Sequence, residues 1–161
     1  MPDVDPSQFR QLLGRFATGV TVLTALDESG RPGGMTASSL AAVSLEPPLL
    51  LVCVDRSTDF RRVLERAHTF AVNVLARDQE GLSRRFAADG IDRFSGVAWT
   101  PGPGGLPFLA GAVAHIVCEQ FDRRDVGDHA VFFGRVVSGV AFDRLPLLHF
   151  RGSYTVTADP A

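Results

Sequence analysis

Apolar, β-branched runs recur along this chain without helices spaced regularly between them, and that pattern excludes more folds than any other feature. Val20, Val22 and Thr24 with their neighbours form the first run, and residues 33–66 hold two more. Residues 69–75 make another, two long runs occupy 112–121 and 129–142, and 147–156 supplies one or two at the end. Helical spacing appears in only three places. Behind Asp5-Pro6, a cap followed by proline at the first helical position, Phe9, Leu12, Leu13 and Phe16 fall at i, i+3, i+4 and i+7. Phe60, Val63, Leu64 and Ala67 form a second apolar face, and Leu82 and Phe86, capped by Asp78, a third. About seven strands with two or three short helices and no βαβ alternation predict a mainly β protein, an antiparallel barrel rather than a doubly wound sheet. Residues 90–111, rich in glycine and proline and carrying Trp99, read as a long loop with at most short strands. With no repeat or linker, residues 1–161 make one domain.

All 16 basic residues are arginine, which removes the lysine of Schiff-base enzymes and of a P-loop. GxGxxG, GxSxG and HExxH patterns are absent too, so a Rossmann turn, a nucleophile elbow and a zincin site lack their signatures. A formal charge of −2 offers no field for nucleic acid and no polybasic patch for a membrane. No apolar run is long enough to span a bilayer, and the N-terminus does not read as a signal peptide. Cys53 and Cys118 lack CxxC spacing and read as two buried reduced thiols of a cytoplasmic protein. His68, His115, His129 and His149 form no metal-ligand spacing, so no metal is expected.

Two places can carry chemistry. In residues 33–66, GGMTASSLAAVSLEPPLLLVCVDRSTDFRRVLER, a buried strand ends at Asp55 and Ser57-Thr58 open a helix with Ser57 as its N-cap. That helix start either binds an anion such as a phosphate or merely caps a surface helix. His129 follows Gly127-Asp128 at the mouth of a long strand, where it either meets a ligand or stabilises the turn.

Taken in order, GVTVLT (19–24), MTASS (35–39), SLEPPL (44–49), FAVNVL (70–75), SRRFA (83–87), GDH (127–129) and LHFRGSY (148–154) resemble the flavin reductase-like family, the small components of two-component flavin-dependent monooxygenases. The resemblance covers nearly the whole chain. It implies a split β-barrel homodimer of the FMN-binding type, holding FMN or FAD near the subunit interface and using NADH or NADPH as hydride donor. Met35, Thr36, Ala37, Ser38 and Ser39 would line the flavin, and Cys53, Val54 and Asp55 would run along its ring edge by main chain. Ser57 and Thr58 would hold the phosphate, with Arg85 and Phe86 reaching it from the next helix. His129, Phe150, Arg151 and Tyr154 would border the ring face where nicotinamide stacks, with His129 orienting and balancing charge as the catalytic histidine. Reduced flavin would then leave for a partner monooxygenase. The same segments leave room for a pyridoxamine-phosphate oxidase-like enzyme or a non-catalytic flavin- or haem-binding module.

Overall fold

The computed structural model describes residues 3–158. In chain order the elements are α1 (Pro6–Leu13), β1 (Thr18–Gly19), β2 (Thr21–Leu26), β3 (Pro32–Ala37), β4 (Ala41–Leu45), β5 (Pro48–Asp55), α2 (Asp59–Arg66) and β6 (Thr69–Val74). Then follow α3 (Glu80–Ala87), β7 (Trp99–Pro101), β8 (Pro107–Leu109), β9 (Ala114–Val126), β10 (His129–Ala141), β11 (Leu147–Phe150) and β12 (Ser153–Val156).

Seven strands pair in the order β3-β2-β6-β9-β10-β5-β4, every neighbour antiparallel. β3 and β4 stand at opposite edges of that order, yet only residues 38–40 separate them. So short a link reaches at most roughly 14 Å even when extended. The two edges must therefore meet, and the sheet rolls into a barrel. The seam is fastened by Ser39: the Cys53 amide donates to its Oγ at 2.9 Å, and that hydroxyl donates to the Cys53 carbonyl at 3.0 Å. β1, β11 and β12 make a small flanking sheet, and β7 and β8 form a hairpin inside the expected long loop.

Alternation along β5 turns Leu50, Val52 and Val54 inward, where they meet Leu23, Phe70, Val72 and Phe132 from the other strands. Phe60 and Leu64 of α2 close this core from one end. A second cluster joins Val20, Val22, Leu75, Phe86, Leu109 and Leu147 under α3. Asn73 holds the β7–β8 hairpin against the barrel. Its Nδ2 donates to the Val22 carbonyl and Thr24 Oγ1, both at 3.1 Å, and its Oδ1 accepts the Leu109 amide at 2.9 Å.

Local signals placed several elements well. Asp5 Oδ1 accepts the amides of Ser7 and Gln8, the cap expected before Pro6. Other expectations require correction. Asp78 does not cap the third helix, which starts at Glu80 behind Gln79. The α1 stripe does not pack within the chain, for Phe9, Leu12, Leu13 and Phe16 are each more than half exposed. Helical spacing identified an apolar face, but a face needs a partner to be buried.

Candidate functional site

β5 ends at Asp55, whose carboxylate shapes the next three residues. Its Oδ1 accepts the Ser57 amide and the Ser57 hydroxyl, both at 2.8 Å. Those two donors, first the amide and then the hydroxyl, hold the Asp55 carboxyl below the usual carboxylate range. Ser57 is consequently not the helix cap. α2 begins behind Thr58, which has the extended φ/ψ of an N-cap. The Thr58 hydroxyl turns back to the Asp55 carbonyl at 2.9 Å and caps no amide. The first-turn N–H groups of α2, at the positive end of its dipole, are thus left without a side-chain acceptor.

A cleft of about 590 Å³ opens over this turn. Ser57, Thr58 and Phe60 form one wall, Gly33 and Gly34 of β3 its floor, and residues 89–94 the opposite wall. That opposite wall is where the sequence reading needs most revision. Arg85 donates from Nε to the Arg93 carbonyl at 2.9 Å, and from Nη2 to the carbonyls of Asp92 and Ser95 at 3.0 and 2.6 Å. Its Nε and Nη2 thus brace the loop. Phe86 has no exposed surface and so touches no ligand; it backs Gly34 and meets Phe94 edge-on at 5.1 Å. Arg93, which no motif singled out, lines the cleft, and its guanidinium donates to the carbonyls of Gly34 and Ala88 at 2.9 and 2.8 Å.

The remaining β3 positions divide. Met35 packs on the core, Ala37 is buried, and Thr36 Oγ1 donates to the Ser83 carbonyl at 2.6 Å. Ser38 and Ser39 face a second, more apolar concavity of about 580 Å³, between β4 and α1, which Phe9, Leu13, Phe16 and His149 also line. Residues 33–39 therefore run from one cleft to the other. Of the ring-edge trio, Val54 keeps its side chain in the core, and Cys53 is half-buried with its amide and carbonyl on Ser39. Burial pushes the Cys53 thiol up, and the Cys118 thiol up to about 12, so neither offers a thiolate at neutral pH.

The nicotinamide-side residues sit on different elements. His129 lies opposite Asp55 in the β5–β10 ladder, and Arg56 donates its amide to the Asp128 carbonyl at 3.0 Å, so the 55–58 and 127–129 turns are stitched together. His129 Nδ1 is 2.6 Å from Asp128 Oδ1. The carboxyl of Asp128 is held below its usual range chiefly by that bond. An ionised carboxylate only accepts, so Nδ1 carries the proton and Nε2 is the free position. Phe150, Arg151 and Tyr154 belong instead to the β11–β12 hairpin. Tyr154 Oη bonds Ser83 Oγ at 2.9 Å and the Tyr154 ring lies under the Arg84 guanidinium, 4.9 Å from the ring centroid, while the Arg151 amide donates to the Gly14 carbonyl at 2.9 Å. Ser83 thereby ties Thr36 to Tyr154, a role its place in a helix gave no hint of. His115 is a core residue: its Nε2 donates to the Leu109 carbonyl at 3.0 Å, and desolvation lowers its basicity. Among the described residues no three His, Cys, Asp or Glu side chains gather as a metal site, and no helix is long and apolar enough to cross a membrane.

Residues 13–158 match the family model described as the flavin reductase like domain. The chain is 46% identical over 154 residues to a flavin-dependent monooxygenase reductase subunit of Rhodococcus jostii strain RHA1, covering 94% of this chain and 78% of that one. It is 40% identical over 157 residues to an NADH-dependent FAD reductase of Streptomyces globisporus, covering 92% and 85%. A solved structure of the Streptomyces globisporus NADH:FAD oxidoreductase, in complex with NAD and FAD fragments, superimposes with a TM-score of 0.92 at 39% identity over 100% of this chain and 99% of that one.

Proposed function

This chain belongs to the flavin reductase-like family, and we propose on that premise that it is an NADH-dependent flavin reductase supplying reduced flavin to a separate monooxygenase. The observation that carries the reading is one juxtaposition. A helix start with uncapped amides and two hydroxyls, Ser57 and Thr58, forms the wall of a cleft and is stitched to the turn that presents His129. When bound, flavin supplies the hydride acceptor.

The chain's own residues bind and orient. Amides at the start of α2 receive an anionic tail, and the Ser57 and Thr58 hydroxyls, which donate to Asp55 in its absence, rotate to donate to it. The main chain of residues 35–39 leads from that cleft to the apolar concavity beside Leu13 and Phe16, which suits a flat aromatic ring. Cys53 and Asp55 border the path by main chain. His129, its Nδ1 tied to Asp128, presents Nε2 to a donor and balances charge; hydride transfer itself needs no proton at this residue. Phe150, Arg151 and Tyr154 border the donor from the other side once a second copy covers the exposed α1 face, and we place the working enzyme as a homodimer for that reason. The NADH and monooxygenase assignments rest on the named relatives.

A steady-state assay under air crossing FMN and FAD with NADH and NADPH tests this. NADH oxidation should depend on added flavin, and NADPH should be the poorer donor. His129→Ala should raise the KM for NADH or slow flavin reduction in stopped flow. Flavin-independent or absent NADH oxidation would overturn the reading.

A further inference from the structure

The main cleft has unlike rims. Beyond Ser57 and Thr58 it is bordered by Asp59, Asp89 and Asp92 against one cation, Arg93, whose guanidinium is already held by the Gly34 and Ala88 carbonyls and by the Asp89 carboxylate at 3.1 Å. On the opposite side, across Val63, a second groove of about 420 Å³ begins. Val63 lines both, and the chain steps from one to the other between Arg31 and Pro32. This groove carries Arg31, Arg62 and Arg66 with Asp27 and Glu28. Arg31 pairs with Asp27 and Arg66 with Glu28, each at 3.1 Å. Among the described residues Arg62 has no ion-pair partner.

Asp59, Arg62, Val63 and Arg66 share one face of α2, since they are spaced by three and four residues. The helix thus leads from its uncapped N-terminus at the Ser57–Thr58 wall to the two arginines over roughly 10 Å. We propose that this arginine groove takes the distal phosphate and adenosine of a dinucleotide that passes through the main cleft. The proposal rests on the flavin-reductase reading and makes Arg62 and Arg66 specificity residues for dinucleotide over mononucleotide. Charge directs the arm: the 89–94 rim repels a polyanion, whereas the Val63 side offers three guanidinium groups against two carboxylates. Exposed ion pairs are weak, so the distal phosphate, able to accept guanidinium forks, draws Arg31 and Arg66 from their carboxylates. A mononucleotide ends before reaching them.

Fluorescence titrations of the full chain with FAD, FMN and riboflavin, together with the KM for NADH, test the proposal. Arg62→Ala and Arg66→Ala combined should weaken FAD about tenfold while FMN stays within about twofold. Glu28→Gln, which releases Arg66, should tighten FAD and leave FMN alone. If the arm belongs to the reduced nicotinamide instead, the KM for NADH rises in the double variant and the FAD-to-FMN ratio holds; this outcome also places a dinucleotide arm in the groove. Equal losses for FAD and FMN, or no change for FAD and NADH alike, overturn it. Wild-type protein that binds no flavin at all would instead remove the underlying flavin-reductase reading.

Discussion

The two walls of the main cleft are built by opposite means. The 55–58 wall is held mainly by its own residues: Asp55 accepts from Ser57 twice, and Thr58 donates its amide and hydroxyl to the Asp55 carbonyl at 3.2 and 2.9 Å. Every one of those bonds spans three residues or fewer. The 89–94 wall is hung from elsewhere. Arg85 reaches the carbonyls of residues 92, 93 and 95, Arg93 reaches back across 59 positions to Gly34, and Phe94 leans on Phe86 and Trp99 at 5.1 and 6.1 Å. The first wall needs, beyond its own four residues, only the 127–129 turn stitched to it; the second exists only if the barrel, α3 and the loop are assembled together. Damage to one should stay local, and damage to the other should spread.

The largest effect is expected at Phe86, which is fully buried. Phe86→Ala should cost about 3–5 kcal/mol, read as a lower denaturant midpoint, and should loosen the 89–94 wall as well. A midpoint equal to wild type would mean this wall does not hang on the core. Next comes Arg85→Ala, which removes the three donors that brace the loop. Flavin affinity should fall about tenfold, for riboflavin as much as for FMN, with turnover at saturating flavin little changed. A loss confined to phosphate-bearing flavins would return Arg85 to the phosphate.

On the locally bonded wall the response should be narrower. Ser57→Ala removes one hydroxyl bond to an exposed turn, so stability should shift by no more than about 1 kcal/mol. FMN binding should weaken, while riboflavin, which has no phosphate, should bind as before. The smallest effect concerns pH. The folded-state value of Asp55 is depressed by Ser57, so its contribution to stability is present above the unfolded carboxylate value of about 3.9 and fades as pH falls through the folded value. Thermal midpoints between pH 7 and 3 should therefore drop only at the acid end. Asp55→Asn should flatten part of that limb and leave the part due to Asp27, whose carboxyl is held at about 2 mainly by the Ser29 hydroxyl. An acid limb identical to wild type would show that the turn does not depend on this charge.

The same contrast explains what was legible before the structure. Antiparallel pairing, the barrel, the turn at residues 127–128 between the two long strands, the Asp5 cap and the importance of the 55–58 turn all follow from alternation or from hydrogen bonds between near neighbours. Even there, the choice between Ser57 and Thr58 as cap depended on where Asp55 Oδ1 points, a matter of one side chain's rotation. Arg85 and Phe86 were read as one phosphate-side pair because they adjoin in sequence. Yet adjacent residues on a helix face different ways: the structure sends one to loop carbonyls and the other into the core.

By itself, then, the order of residues determined which segments are strands, that no lysine chemistry is available, and which short turn leads from the buried strand into the second helix. Those are properties of composition and of contacts within a few residues. Tertiary structure alone decided that Arg85 and Arg93 are struts, that Ser83 links Thr36 to Tyr154, that the arginines of α2 adjoin the cleft, and that the apolar face of α1 is left uncovered. A guanidinium binds whatever acceptor the returning chain brings near it, and an apolar face is buried only if another surface arrives. Neither is written in the local sequence.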